Sequence, residues 1–193
     1  MAHIYVKSEK VVNANPADVY TAISDYKEKR PELLTPNFVD YKVEKGGRGD
    51  GTVVSYRLHA ARRDRPYHVQ VKEPVKGQVL TENDTNSSLV TTWSVTPLED
   101  GQRSLVRVAT EWEGGQGVGG FFERVFAPLG VRGIYNRVLD QLSTTVPTTG
   151  EPTSTVLSQK KESVGNNLGL FALIFGLVIA VGFGISVLFG RKK

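Results

Sequence analysis

Apolar and polar positions alternate along most of the chain between Ile4 and Trp112, with one interruption near the start. The first run, IYVKSEKVV, predicts a strand. Asn15-Pro16 then opens a short helix, PADVYTAISDY, with proline at a first-turn position and Val19, Ile23 and Tyr26 on one stripe. KEKRPELL predicts a further helical turn or two. After Pro36 the period becomes two and stays there through Trp112.

Turn chemistry divides this long alternating region into hairpins. GGRGDG (46–51) is a loop, Arg63-Asp64 a tight turn, Asn86 to Ser88 another, and Asp100-Gly101 a pair that favours a primed turn. Centring each hairpin on its turn predicts Tyr41 opposite Val54, Leu58 opposite Val69, Tyr56 opposite Val71, Trp93 opposite Val108 and Val95 opposite Val106. Residues two apart share a face. One face then collects Val39, Tyr41, Val43, Val54, Tyr56, Leu58, Tyr67, Val69, Val71, Val79, Thr81, Leu89, Thr91, Trp93, Val95, Val106, Val108, Thr110 and Trp112. The other collects Lys42, Arg57, His59, His68, Gln70, Lys72, Thr92, Ser94, Arg107 and Glu111, a wet surface.

A sheet with one apolar face needs a cover. The long candidate is a helix over 120–142, with Phe122, Val125, Phe126, Leu129, Val138 and Leu142 as its apolar stripe and a kink expected at Pro128 and Gly130. The predicted fold class is α+β: one strand, one or two short helices, a meander of about six strands and a long C-terminal helix laid across the sheet.

Beyond residue 145 the pattern changes twice. Residues 146–167 are rich in Thr, Ser, Pro, Gly and charge and lack aromatics, which predicts a flexible linker. Residues 168–190, LGLFALIFGLVIAVGFGISVLFG, carry no charge and a single hydroxyl, Ser186. At ~1.5 Å per residue such a helix is ~34 Å long, enough for the ~30 Å core of a bilayer. A single transmembrane helix is expected here, followed by the basic tail 191–193. Ala172, Gly176, Ala180 and Gly184 recur every four residues, a spacing that suits a homodimer through this helix. The N-terminal MAHIYVKSEKVV has no basic region followed by an apolar one, so a tail-anchored topology with the domain in the cytosol is expected. Lys160 and Lys161 against the three basic residues of the tail lean slightly the other way.

Charge narrows the partners. The chain has 24 Lys and Arg against 20 Asp and Glu. The tail holds three of the cations, so residues 1–167 are close to neutral and offer no nucleic-acid footprint. Arg62, Arg63 and Arg65 read as a solvated hairpin tip. There is no cysteine, which removes disulfides, thiolate nucleophiles and Cys-type zinc sites. The predicted register sets His59 against His68, but two ligands without a third make no metal site, and none is expected. Ser-His-Asp spacing and a P-loop are absent, and GGQGVGG (114–120) lacks the strand, helix and acidic residue of a dinucleotide fingerprint. No cofactor is expected.

Three short motifs resemble a known family. VVNANPADVYTAISDY, Gly49-Asp50-Gly51-Thr52 and Gly119-Gly120-Phe121-Phe122 are similar to the opening, the glycine hairpin and the start of the last helix in the START/Bet v 1-like (SRPBCC) superfamily. Within it, the polyketide cyclase/dehydrase and lipid transport family is nearest, and the likeness spans Ile4 to Leu142. The resemblance implies a helix-grip fold, an antiparallel sheet wrapped around a long C-terminal helix, with a cavity between them. Members bind sterols, lipids, quinones, polyketides or plant hormones, and some are cyclases or other enzymes. The two-His, one-carboxylate iron trio of the ring-dioxygenase relatives has no match here.

On this reading Tyr41, Tyr56, Leu58, Tyr67, Val69, Thr81, Thr91, Trp93, Val108, Thr110, Trp112, Phe122 and Phe126 are expected to line the cavity. An apolar lining with a few convergent hydroxyls suits a hydrophobic small molecule or lipid. The alternating face holds hydroxyls but no carboxylate, Lys or His, which favours binding over catalysis. A cyclase-like or isomerase-like enzyme using an inner Tyr as general acid, and an interaction module with a collapsed cavity, are the other readings.

Overall fold

A computed structural model of the chain describes residues 2–60 and 63–148. Seven strands form one antiparallel sheet: β1 (Ala2–Val12), β2 (Phe38–Lys45), β3 (Val53–Ala60), β4 (Arg63–Val75), β5 (Val79–Asp84), β6 (Val90–Leu98) and β7 (Arg103–Gly114). The spatial order is β1-β7-β6-β5-β4-β3-β2, so the first strand closes beside the last and the rest is a meander. Two short helices, α1 (Pro16–Ser24) and α2 (Lys29–Leu33), separate β1 from β2, and α3 (Gly117–Thr145) ends the domain.

Local chemistry sets these boundaries. Asn15 caps α1, its side-chain oxygen accepting the Asp18 N–H at 3.0 Å, and Pro16 occupies the first turn. Asp25 ends that helix. Its carboxylate accepts the backbone N–H groups of Lys27 and Glu28 and pairs with Arg48 in the glycine loop. Gly46 in this loop has φ +68°, and a Cβ there would lie 3.0 Å from the Thr52 Cα, so the turn requires glycine.

α3 covers the apolar face. Ile134, Val138, Leu139 and Leu142 share one buried cluster with Val12, Ile23, Val54, Val69, Leu80, Trp93 and Val106. Val146, just after α3, is also buried there. The helix starts at Gly117 and continues through Pro128 as one element. The predicted stripe holds at Val138 and Leu142 and fails at Val125 and Leu129, which are 43% and 65% exposed. Ile134 and Leu139 take their places, because the helix turns its Tyr135 edge to the sheet.

The strand registers differ from expectation in an instructive way. Trp93 does face Val108, and Val95 faces Val106. Tyr56, however, faces Tyr67, and Leu58 faces Arg65. The β3–β4 hairpin closes at Ala60 and Arg63, so the partner of Leu58 moves from Val69 by four residues, an even shift that preserves every side chain's face. In β2 the backbone of Asp40 takes φ +54° and the register slips between Val39 and Lys42. That bulge brings Phe38 and Tyr41 onto the same face, turns Val39 away and sets Val43, not Tyr41, against Val54.

Among the described residues no helix is long and apolar enough to cross a membrane. The anchor expected over 168–190, most of the linker, the basic tail and the small-residue stripe lie outside the described residues.

Candidate functional site

Between α3, α2 and the inner face of β2 to β7 is a cavity with about 720 Å³ of space free of protein atoms, its open mouth included. One wall is aromatic. Phe38, Tyr41, Tyr56 and Tyr67 come from β2, β3 and β4, the Tyr56 ring lying 5.3 Å from Tyr67 at 21° and 6.4 Å from Tyr41 at 20°. Such offset stacking holds flat faces parallel across three adjacent strands. Arg65 covers Tyr67 from one side, 5.2 Å from the ring centre.

The facing wall is built from β5, β6, β7 and α3. Thr91 and Thr110 meet at 2.8 Å, and the Tyr135 hydroxyl of α3 joins them through a hydrogen bond with Thr110. The Tyr135 ring meets Trp93 edge-on, 6.2 Å between centres. Leu58, Leu89, Val131, Ile134 and Val138 supply the aliphatic remainder.

A buried ion pair connects α2 to the sheet. Arg30 donates to Glu82 at 2.8 Å, and both side chains are close to fully buried. Three donors converge on this carboxylate: Arg30, the Tyr26 hydroxyl at 2.8 Å and the Trp93 indole N–H at 3.2 Å. Arg30 also donates to the Ile23 carbonyl, and its guanidinium lies 4.3 Å over the Trp93 ring. A buried charge needs such compensation, and here hydrogen bonds, charge and a π face together provide it. Burial opposes the charge on Arg30, but Glu82 and the surrounding tyrosines outweigh it and hold its pKa above the ordinary value.

Tyr26, Tyr41, Tyr56 and Tyr135 are neutral phenols at ordinary pH. Burial pushes Tyr26 well up, with the Glu82 charge adding to it. Burial likewise raises Tyr41 and Tyr56. Tyr135 is pushed up to about 12 by burial, against the opposing hydrogen bonds of Thr110 and Thr91. Tyr41 donates to the Tyr26 carbonyl at 2.9 Å. Tyr56 lines the cavity, and among the described residues its hydroxyl makes no hydrogen bond.

Seven of the expected lining residues stand in this wall: Tyr41, Tyr56, Leu58, Tyr67, Thr91, Trp93 and Thr110. Val69 and Val108 are buried in the main core without lining the cavity. Trp112 packs in a second cluster with Ile4 and Val6. Thr81 is a correction. It pairs with Thr92 on the opposite face, and Leu80, Glu82 and Asp84 are the buried residues of β5. The cause is a bulge between Lys72 and Val75, which sets Glu82 against Val71. The side chains of Phe122 and Phe126 lie outside the described residues.

The inner face therefore does hold a carboxylate, contrary to the reading from alternation. His59 and His68 do not face each other either. His59 pairs with Asp64, while His68 sits between Glu44 and Thr85. No group of three His, Cys, Asp or Glu is placed to hold a metal among the described residues.

Residues 3–147 match the family model for polyketide cyclase/dehydrase and lipid transport proteins. The chain belongs to this family. The NMR solution structure of KanY protein is 41% identical, covers 75% of this chain, is itself 97% covered and superposes with a TM-score of 0.65. More distant structures share the fold. A START superfamily protein from Mycobacterium smegmatis is 15% identical over 75% of this chain and 97% of its own, with a TM-score of 0.59. The Zhui aromatase/cyclase from a Streptomyces species is 12% identical over 74% of this chain and 93% of its own, with a TM-score of 0.62. Among curated protein sequences none matches the chain.

Proposed function

We propose that the domain binds one flat, largely apolar small molecule between the tyrosine wall and α3, and releases it unchanged. The observation that carries this reading is the state of Glu82. Among the described residues it is the only carboxylate in the cavity wall, and three donors already occupy it. Both of its oxygens already accept, Oε1 from Arg30 and Tyr26 and Oε2 from Trp93, an arrangement that supports a role in positioning Arg30 and Trp93 over one in taking a proton from a ligand. What the cavity offers a guest is parallel aromatic faces and the Tyr56 hydroxyl, unpartnered among the described residues, which suits a planar body bearing a hydrogen-bonding oxygen.

The second part of the proposal is a tether. Residues 168–190 form an uncharged segment long enough to span a bilayer, joined to the domain by a polar linker. A domain held there would exchange an apolar guest where such molecules are concentrated.

A cyclase-like or isomerase-like activity is the second reading, favoured by Tyr56 itself, since a neutral phenol facing the guest is a general acid. Native mass spectrometry of the protein purified from its own cells tests both. Simple binding predicts a small-molecule adduct that is lost on denaturation and recovered unaltered after prolonged incubation. Conversion of that molecule during incubation would favour catalysis, and protein that carries no adduct and takes up no planar aromatic probe would contradict a binding cavity.

A further inference from the structure

We propose that the outward face of α3 docks on the headgroup layer of an anionic phospholipid bilayer, an inference that rests on the membrane tether above. Leu129 is 65% exposed, the most exposed large hydrophobic residue among the described ones. Val125, one turn earlier, is 43% exposed, and Arg132, three residues on, is exposed too. Spacings of four and three put these side chains on one stripe. Between Glu123 and Asp140 the helix carries Arg124, Arg132 and Arg137 and no acidic residue, and Arg137 donates to Asn37. Asp140, which follows, is engaged by Lys10.

Two glycines mark the same stretch. A Cβ at Gly130 or Gly133 would meet nothing within 4 Å, so packing inside the domain requires neither, although glycine disfavours a helix interior. Their effect is to leave the backbone low beside Leu129 and Arg132, where a headgroup layer would approach. An exposed apolar pair with a cation, Arg132, on the same stripe is the pattern of a helix lying in a membrane interface. A second copy would bring two Arg132 guanidinium groups toward each other, whereas lipid phosphates complement them. The opposite side of the helix supplies Val131, Ile134, Tyr135 and Val138 to the cavity, so contact with lipid on one face borders the guest on the other.

The absence of cysteine makes the test direct. Leu129→Cys and, as a control on the outer sheet face, Lys42→Cys are labelled with an environment-sensitive dye in the full chain and reconstituted into phosphatidylcholine vesicles with or without phosphatidylglycerol. The expected result is a blue shift at position 129 that needs phosphatidylglycerol and fades at high salt, with position 42 unchanged. Arg132→Glu in the same background lowers docking by at least about fivefold, the contribution of one cation at an anionic surface. Water-like emission at both positions in both vesicles overturns the proposal, as does a shift at 129 that appears without vesicles and grows with protein concentration, which would assign the face to a second copy. Flotation separates the tether from the docking face: full-length protein that fails to float with neutral vesicles contradicts the tether, while the dye still reports docking on phosphatidylglycerol.

Discussion

The Trp93 indole N–H on β6 donates to the Glu82 carboxylate on β5 across 3.2 Å, so among the described residues the one tryptophan of the cavity wall is oriented by the one carboxylate there. Arg30 lies over the same indole and completes the arrangement from α2. A short helix of ordinary composition is thereby fastened to the centre of the sheet.

Glu82→Ala leaves Arg30 as an uncompensated buried charge and the Tyr26 hydroxyl and Trp93 N–H without an acceptor. A loss of about 3–5 kcal/mol is expected. Arg30→Met combined with Glu82→Leu should cost clearly less than Glu82→Ala, since apolar replacement removes the stranded charge. Urea unfolding of the wild type and both variants measures this. A single-variant loss under about 1 kcal/mol would show that the pair does not hold α2 in place.

This pair also marks where sequence reading stopped. Strong, uninterrupted alternation in β6 and β7 specified both face and register, because Trp93, Val95, Val106 and Val108 have no competing parity. In VLTEND both parities contain one apolar residue, and the buried one carries Glu82 and Asp84. Burying carboxylates there depends on Arg30 and on the Ser87 hydroxyl and His68 N–H that satisfy Asp84, partners distant in sequence or fixed only once the turn has formed. Bulges at Asp40 and after Lys72 likewise change the parity of their strands with no break in the sequence pattern to mark them. Hence Tyr56, Tyr67, Thr91 and Thr110 could be placed on the cavity face from pattern alone. Arg30 in the charged run KEKRPELL gave no such signal.

Asp25 gives the domain an acid-sensitive clasp. Burial alone would raise its pKa, but the Glu28 and Lys27 N–H groups and Arg48 outweigh that and hold it below the ordinary carboxylate value. A group whose pKa is lowered on folding stabilises the fold above its unfolded pKa, about 3.9, and loses that contribution as pH falls through the folded value. Asp25→Asn should therefore be less stable than wild type at pH 7, with the gap narrowing below about pH 4. Thermal unfolding across this range is the measurement, and a gap that widens on acidification would contradict the assignment.

Tyr56→Phe separates binding from folding. Its hydroxyl has no partner to lose among the described residues, so stability should change by less than about 0.5 kcal/mol. Affinity for a planar guest with a hydrogen-bonding oxygen should fall about fivefold, the net worth of one hydrogen bond near 1 kcal/mol. Equal affinity for such a guest and for its oxygen-free analogue in the wild type would remove Tyr56 from the site.

Trp93 lines the cavity and Trp112 does not, which makes Trp93 a local reporter. The decisive measurement is a titration of the Trp112→Phe domain, residues 1–148, with a hydroxyanthraquinone, following Trp93 emission; the 41% identical KanY protein, 97% covered by this domain, is structured in solution. A binding cavity predicts saturable quenching of Trp93 that weakens in Tyr56→Phe. Emission that stays unchanged in the folded protein up to the solubility limit of the probe would contradict it.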